Sequence, residues 1–192
     1  DAFLAVFDNV GNHLWSTSFG YHNDVEDKAY GVCFDSAGDV LVTGRFAGAV
    51  DFGDGNVLSG IGDADIFVAK YSGDDGACLW SKNFGNYSTD IGWGICTDSS
   101  GNVYVVGEDD QGAGAGYTEV YIAKLRNSDG YKLADILIDA PGADAAKDVC
   151  VDPDDNVIFT GYFESNSIDF GGGVGAIRGG LSITWWGEYP CP

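Results

Sequence analysis

Basic residues are scarce in this sequence of 192 residues. Nine Lys and Arg stand against 30 Asp and Glu, which gives a formal net charge of -21. A surface this negative repels phosphate backbones and anionic lipid headgroups. We therefore expect no nucleic-acid partner; the charge favours cations, basic partners or simple solubility.

Methionine is absent, and so is any long hydrophobic run. Because residue 1 is Asp and no Met is present, we expect either a processed mature protein or a segment of a longer chain. No apolar run approaches the roughly 18 residues of a membrane-spanning helix, so no membrane insertion is expected.

Histidine occurs only at His13 and His22. Nucleophilic catalysis by Ser or Cys needs a base with a pKa near the working pH, and we expect His22 to be an exposed loop residue. Two acids in a pocket could perform glycoside hydrolysis, but 30 acids form clusters by composition alone. The sequence therefore predicts a protein that is not an enzyme.

Glycine, in contrast, is abundant, with 30 residues, and a hairpin pattern recurs. Residues 92–107, GWGICTDSSGNVYVVG, place two alternating apolar runs around a turn, which predicts a β-hairpin. Counting from Cys96, an Asp lies six residues before and two after, and a Gly lies eleven after. The same offsets from Cys33 and Cys150 meet the same residue types, so the hairpin occurs three times.

A second strand pair recurs in the same order. DAFLAVF, DIFVAKY and EVYIAKL begin at Asp1, Asp65 and Glu119, and each is followed by a turn containing Gly and another strand-like run. The loop after the second hairpin strand is longer in the first and third repeats than in the second. Each repeat thus holds four strand candidates around a variable loop.

Four short strands in each repeat, with no helical periodicity, predict an all-β chain of β-propeller-type blades, each of four antiparallel strands. GICTDSSGNVYVVG resembles the inner hairpin of SBBP-type propeller repeats and, more distantly, of NHL repeats. DIFVAKY and the VDFG run at residues 50–53 resemble the SBBP type specifically. The resemblance implies that the hairpin supplies the inner strands of a blade, A and B, and the second pair the outer strands, C and D. It names no activity, because propellers serve many unrelated roles.

With the strands assigned to A, B, C and D in this way, the chain is a single repeat domain of about three repeats, open at both ends. It divides into a partial blade 1–20, blades 29–85 and 92–138, a partial blade 147–186 and a tail 187–192. Three blades are too few to close a propeller, so the terminal strands would present unpaired backbone groups. Either the other blades belong to a longer chain, or copies join head-to-tail into a ring or a filament.

The tail supports the second alternative. Its run SITWW stands where a third C strand is expected, and its two Trp residues are of the kind that anchor interfaces, although they could instead cap the core. The predicted assembly residues are Phe3, Leu4, Phe7, Ile183, Trp185 and Trp186. We therefore predict a non-enzymatic, extracellular or cell-surface module that binds other copies of itself; the alternative is a propeller that binds a glycan or calcium.

Calcium is the one cofactor that the sequence leaves open. Its candidate ligands are the acids before the hairpins and in their turns, namely Asp27, Asp90, Asp144, Asp98 and Asp152. None of the turns completes the twelve-residue calcium loop with its terminal Glu. We favour the alternative that the turn acids cap their turns while Gly or Asn adopts a left-handed conformation, and that the other three accept hydrogen bonds that brace loops.

Cysteine and one Asn complete the candidate residues. Cys33, Cys96 and Cys150 share one repeat position inside strands and are expected to be small buried hydrophobic residues. Cys78 and Cys191 could form a disulfide with each other. Asn86 begins an Asn-Tyr-Ser glycosylation pattern, which fits an extracellular setting.

Overall fold

All regular secondary structure in the described part of the chain is β-strand. The computed structural model describes residues 1–20, 26–112, 117–139, 141–171 and 175–177. The strands are β1 Ala2–Phe7, β2 His13–Phe19, β3 Lys28–Phe34, β4 Val40–Phe46, β5 Ala49–Asp51, β6 Val57–Ser59, β7 Asp65–Tyr71, β8 Cys78–Phe84, β9 Ile91–Thr97, β10 Val103–Asp109, β11 Glu119–Leu125, β12 Lys132–Ile138, β13 Asp144–Val151, β14 Val157–Phe163, β15 Ser167–Asp169 and β16 Gly175–Ile177.

The strands form antiparallel sheets. The first sheet has the order β3-β4-β7-β8 and the second the order β9-β10-β11-β12. The leading hairpin, β1–β2, precedes them and the trailing hairpin, β13–β14, follows them. The predicted all-β chain with antiparallel sheets is confirmed. The described residues do not form a closed ring of sheets, so the propeller arrangement stays a prediction.

Two small hairpins occupy the loop that varies between repeats. Strands β5–β6 follow β4, and β15–β16 follow β14. Between β10 and β11, the described residues contain no further strand. The extra length in the first and third repeats is therefore used to build a hairpin.

The turns between the hairpin strands are fixed by their first Asp. Asp152 Oδ1 accepts hydrogen bonds from the backbone N–H groups of Asp154 and Asn156, both at 2.9 Å, and Asp98 Oδ1 accepts one from Asn102 at 2.7 Å. In the third turn the left-handed residue is Asp155, with φ 63°, and not Asn156 as expected. Asp155 occupies the place that Gly101 holds in the second turn.

The glycine that lies eleven residues after the cysteine of each hairpin pairs with its partner strand at a β-bulge. The register of the β9–β10 pair shifts between Val106 and Gly107, and a Cβ on Gly107 would collide with the carbonyl oxygen of Ile91. Gly44 and Gly161 face the carbonyl oxygens of Lys28 and Ala145 in the same way. The repeat requires Gly here because the neighbouring backbone fills the space of a side chain.

The core consists of three apolar clusters, one between each pair of successive sheets. The first lies between the leading hairpin and the first sheet, the second between the two sheets, and the third between the second sheet and the trailing hairpin. Two Trp residues tie the repeats together, since Trp15 Nε1 donates to Gly73 O at 3.0 Å and Trp80 Nε1 to Asn127 O at 2.8 Å. Faces that lack a neighbouring sheet are consequently exposed.

Candidate functional site

The acids that precede the three hairpins make one repeated hydrogen bond. Oδ1 of Asp27, Asp90 and Asp144 accepts from the backbone N–H of Ala47, Asp110 and Glu164 at 3.0, 2.8 and 3.0 Å. In every case the donor lies 20 residues further along the chain. The side chains brace the loop after the second hairpin strand, which is the role favoured from the sequence.

Asp90 also belongs to a buried acid cluster, formed with Asp65 and Asp109. Asp65 comes from the first sheet, and its Oδ2 accepts from Ile61 N at 2.6 Å, whereas its buried Oδ1 has no hydrogen-bond partner among the described residues. A Cβ on Gly85 would collide with oxygens of both Asp65 and Asp90. The two carboxyl groups therefore border the same small space.

The pKa values of the three acids in this cluster are raised. Burial raises the pKa of Asp90 to about 7, and the charges of Asp109 and Asp65 add to this shift. The backbone N–H groups that donate to Asp90 act in the opposite direction, because they favour the charged form. Burial likewise raises the pKa of Asp65 and of Asp109. Asp90 is therefore largely protonated at mildly acidic pH.

The geometry does not assemble these acids into a metal centre. No group of three or more His, Cys, Asp or Glu side chains among the described residues could hold a metal ion. Two of the turn acids face lysines that sequence reasoning missed: Lys70 Nζ lies 2.7 Å from Asp35 Oδ2, and Lys124 Nζ lies 3.4 Å from Asp98 Oδ2. Both lysines occupy the same position of the repeated DIFVAKY and EVYIAKL runs. That repetition could have identified them from the sequence.

A cavity of about 350 Å³ lies beside the cluster, between β8 of the first sheet and strands β11 and β12 of the second. Asp109 connects the cavity to the acid cluster, and Tyr121 from β11 lines it. Tyr121 is only 4% exposed, yet its hydroxyl has no hydrogen-bond partner within the described part of the chain. The full lining is Ile61, Asn83, Phe84, Gly85, Asp109, Tyr121, Lys132, Asp135 and Leu137.

The leading hairpin exposes aromatic side chains that the other repeats bury. Phe3 is 76% exposed, whereas the residue at the same repeat position in the first sheet, Phe67, is fully buried. Phe7 is exposed as well, although its counterpart Tyr71 is buried. Leu4, predicted for the same interface, instead packs in the core against the first sheet, because alternate strand residues face opposite sides.

Sequence reasoning missed two further exposed residues at this end, Val32 and Phe34 on β3. Val32 is 58% exposed, while Ile95 at the same position of β9 is 5% exposed. Ile95 is covered by the first sheet, whereas the described residues contain no preceding four-stranded sheet that could cover Val32.

The trailing hairpin is open on the opposite face. Tyr162, Thr160 and Cys150 are exposed, although Thr43 and Val106, which match Thr160 in the repeat, are fully buried. The expectation that all three repeat cysteines are buried is therefore wrong for Cys150, and Cys33 and Cys96 are half-buried. Ile183, Trp185 and Trp186 lie outside the described residues.

Burial makes the thiols of Cys33, Cys78 and Cys96 poor nucleophiles. Burial raises the pKa of Cys33 and of Cys96 to about 12, and that of Cys78 likewise to about 12. Cys78 is free and half-buried, and its predicted partner, Cys191, lies outside the described residues.

The predicted glycosylation acceptor is already engaged. Asn86 Nδ2 donates to Asp109 Oδ1 at 2.6 Å, and Asn86 Oδ1 accepts from Ser88 N at 2.9 Å. A glycan attached at Nδ2 would disturb the bond to Asp109.

Comparisons with known proteins supply no family. No model of a known protein family matches the chain, and no curated protein matches it. In the described part of the chain, no helix is long and apolar enough to cross a membrane.

Proposed function

We propose that this chain is a non-enzymatic, extracellular β-propeller module that assembles head-to-tail with other copies of itself. The observation that carries the proposal is the match between its two ends. The leading hairpin supplies outer strands C and D without inner strands, and the trailing hairpin supplies inner strands A and B; outer strands that would follow it are not among the described residues.

The trailing hairpin of a second copy would complete both exposed surfaces at the leading end. Its strand β14 would pair with the open edge of β1, as β4 pairs with β7 inside the first sheet. Its exposed face would then cover Val32 and Phe34, as the first sheet covers Ile95. One hairpin thus accounts for the open edge and for the open face.

The number of blades limits the closed form of such an assembly. The described part of each copy contributes two four-stranded sheets and two hairpins that would each form half a blade. Two copies would therefore complete six blades, within the usual range of four to eight, whereas one copy alone falls below that range. A joint that does not close would give a filament.

The alternative occupant of the open faces is another part of a longer cell-surface propeller chain. Sedimentation equilibrium of the 192-residue chain separates the two. Self-assembly predicts a mass about twice the 20.2 kDa of one chain, or an open series of larger species. A monomer at all concentrations up to about 100 µM, well above the dissociation constant of a standard interface, would overturn the assembly proposal.

Replacing Phe3 and Phe7 together by Ser is expected to weaken the assembly at least a hundredfold, because two aromatic anchors are lost from its centre. The matched control is Val10→Ser with Leu14→Ser. Val10 and Leu14 lie on the same hairpin and are as exposed as Phe3 and Phe7, at 76% and 56%. Leu14, however, corresponds to Leu79 and Leu133, which stay exposed although their sheets have neighbours. Equal weakening by both pairs would contradict the proposed interface.

A further inference from the structure

We propose that the cavity between the two four-stranded sheets binds one neutral sugar residue, free or at the end of a glycan. The site lies within a single chain and does not depend on assembly. At about 350 Å³ the cavity is at the lower end of the size range of small-molecule sites, which suits one ring better than an oligosaccharide.

The first argument is the hydroxyl of Tyr121. A buried hydroxyl without a partner destabilises a fold, so native structures rarely keep one without a reason. Tyr121 is almost completely buried, lines the cavity and makes no hydrogen bond through its hydroxyl to the described residues. A ligand hydroxyl in the cavity would give it the missing partner.

The second argument is that the charged side chains around the cavity already have hydrogen-bond partners. Lys132 Nζ lies 2.6 Å from Asp135 Oδ2. Asp109 Oδ1 accepts from Asn86 Nδ2 and from Gln111 Nε2, both at 2.6 Å. A charged ligand would have to break these pairs, whereas a neutral one would not.

The third argument is the mixture of apolar and polar walls. Phe84, Ile61 and Leu137 provide apolar surface, while Tyr121, Asn83 and the Lys132 pair provide donors and acceptors. A sugar ring presents C–H groups on its faces and hydroxyls at its edge, and each hydroxyl both donates and accepts hydrogen bonds. Of the neutral ligands of this size, a sugar uses both kinds of wall.

The test is binding of methyl glycosides of glucose, galactose and mannose to the full chain, measured by ligand-observed NMR and calorimetry. Choline and acetate serve as charged probes of similar or smaller size. We expect at least one glycoside to bind with a millimolar or lower dissociation constant. Binding of a charged probe alone, or of no probe, would overturn the proposal without affecting the assembly measured by sedimentation.

Tyr121→Phe separates a ligand role from a structural one, because it removes only the unpartnered hydroxyl. We expect glycoside affinity to fall at least fivefold while the melting temperature stays the same or rises. The control is Tyr71→Phe, since the Tyr71 hydroxyl donates to Phe52 O at 3.1 Å in the core; it should lower the melting temperature and leave affinity unchanged. Unchanged affinity in Tyr121→Phe would contradict the site.

Discussion

Replacing Gly107 by alanine is expected to lower the free energy of unfolding by more than about 3 kcal/mol. The added Cβ would meet the carbonyl oxygen of Ile91 and the Cα of Gly92. Both are backbone atoms of the paired strand, so they cannot move without breaking the bulge between β9 and β10. Urea denaturation of the variant and the parent chain measures the loss.

Gly38→Ala is the matched control. Gly38 has φ +87°, and a Cβ there would meet nothing within 4 Å. The substitution therefore costs only the left-handed conformation of alanine, about 1 kcal/mol. Similar losses for the two variants would show that crowding against Ile91 is not what requires Gly107.

Gly107 shows how far the repeat could be predicted from the sequence. Its regular offset from the cysteine identified it as a repeat feature and placed it near the end of a hairpin strand. The bulge opposite it has no sign of its own in the sequence, because a shift of register depends on how two backbones pair. The strand pattern was therefore predictable, and the reason for its glycine was not.

The candidate site was predicted only where its residues repeat. Asp90 was recognised, with a loop-bracing role, because Asp27 and Asp144 occupy the same position. Its neighbours Asp65 and Asp109 lie far from each other in the sequence and meet only when two sheets pack together. Tyr121 was missed because an aromatic residue at that position has the same pattern as the core residue Phe67; the hydroxyl was the only difference.

The open surfaces at the two chain ends could be predicted from the order of strands in the repeat. The repeat has four strands, and the first two strands of the chain match its third and fourth. The order of strands predicted Phe3, Leu4 and Phe7 for the open surface; Phe3 and Phe7 are exposed, whereas Leu4 is buried, and the exposure of Val32 was not predicted. That residue belongs to a complete sheet, and its exposure arises because a face, as well as an edge, lacks its neighbour. The open surface at the leading end is consequently larger than the sequence predicted.

The stability of the chain is expected to fall by up to about 4 kcal/mol as the pH rises from about 4 to about 7. Burial raises the pKa of Asp90 from 3.8 to about 7, so the folded chain holds a proton that the unfolded chain releases. This contribution is complete below the unfolded pKa and is lost as the pH rises through the folded one. Asp35, with its pKa lowered from 3.8 to about 2, changes its contribution mainly below this window.

Asp65→Asn should reduce that decline, because the Asp65 charge adds to the effect of burial on Asp90, and should make the chain more stable than the parent at pH 8, by about 1 to 2 kcal/mol. The amide oxygen can keep the bond from Ile61 N, and the amide nitrogen can donate to Asp90 from the position of the unpartnered Oδ1. Near pH 4 the difference should be smaller, because Asp90 is then protonated and its repulsion with Asp65 is absent.

Urea denaturation at pH 4, 6 and 8 measures this difference, and Asp35→Asn provides a control of opposite sign. Asp35 is buried against Lys70, whose ammonium group also lies 3.0 Å from Asp39 Oδ2. Loss of the Asp35 charge removes the more buried of these two partners and should destabilise the chain at pH 8. If Asp65→Asn were also less stable at pH 8, the Asp65 carboxyl would be stabilised as an anion. The orphan oxygen beside Asp90 would then have a favourable partner, and the acid cluster would not oppose folding.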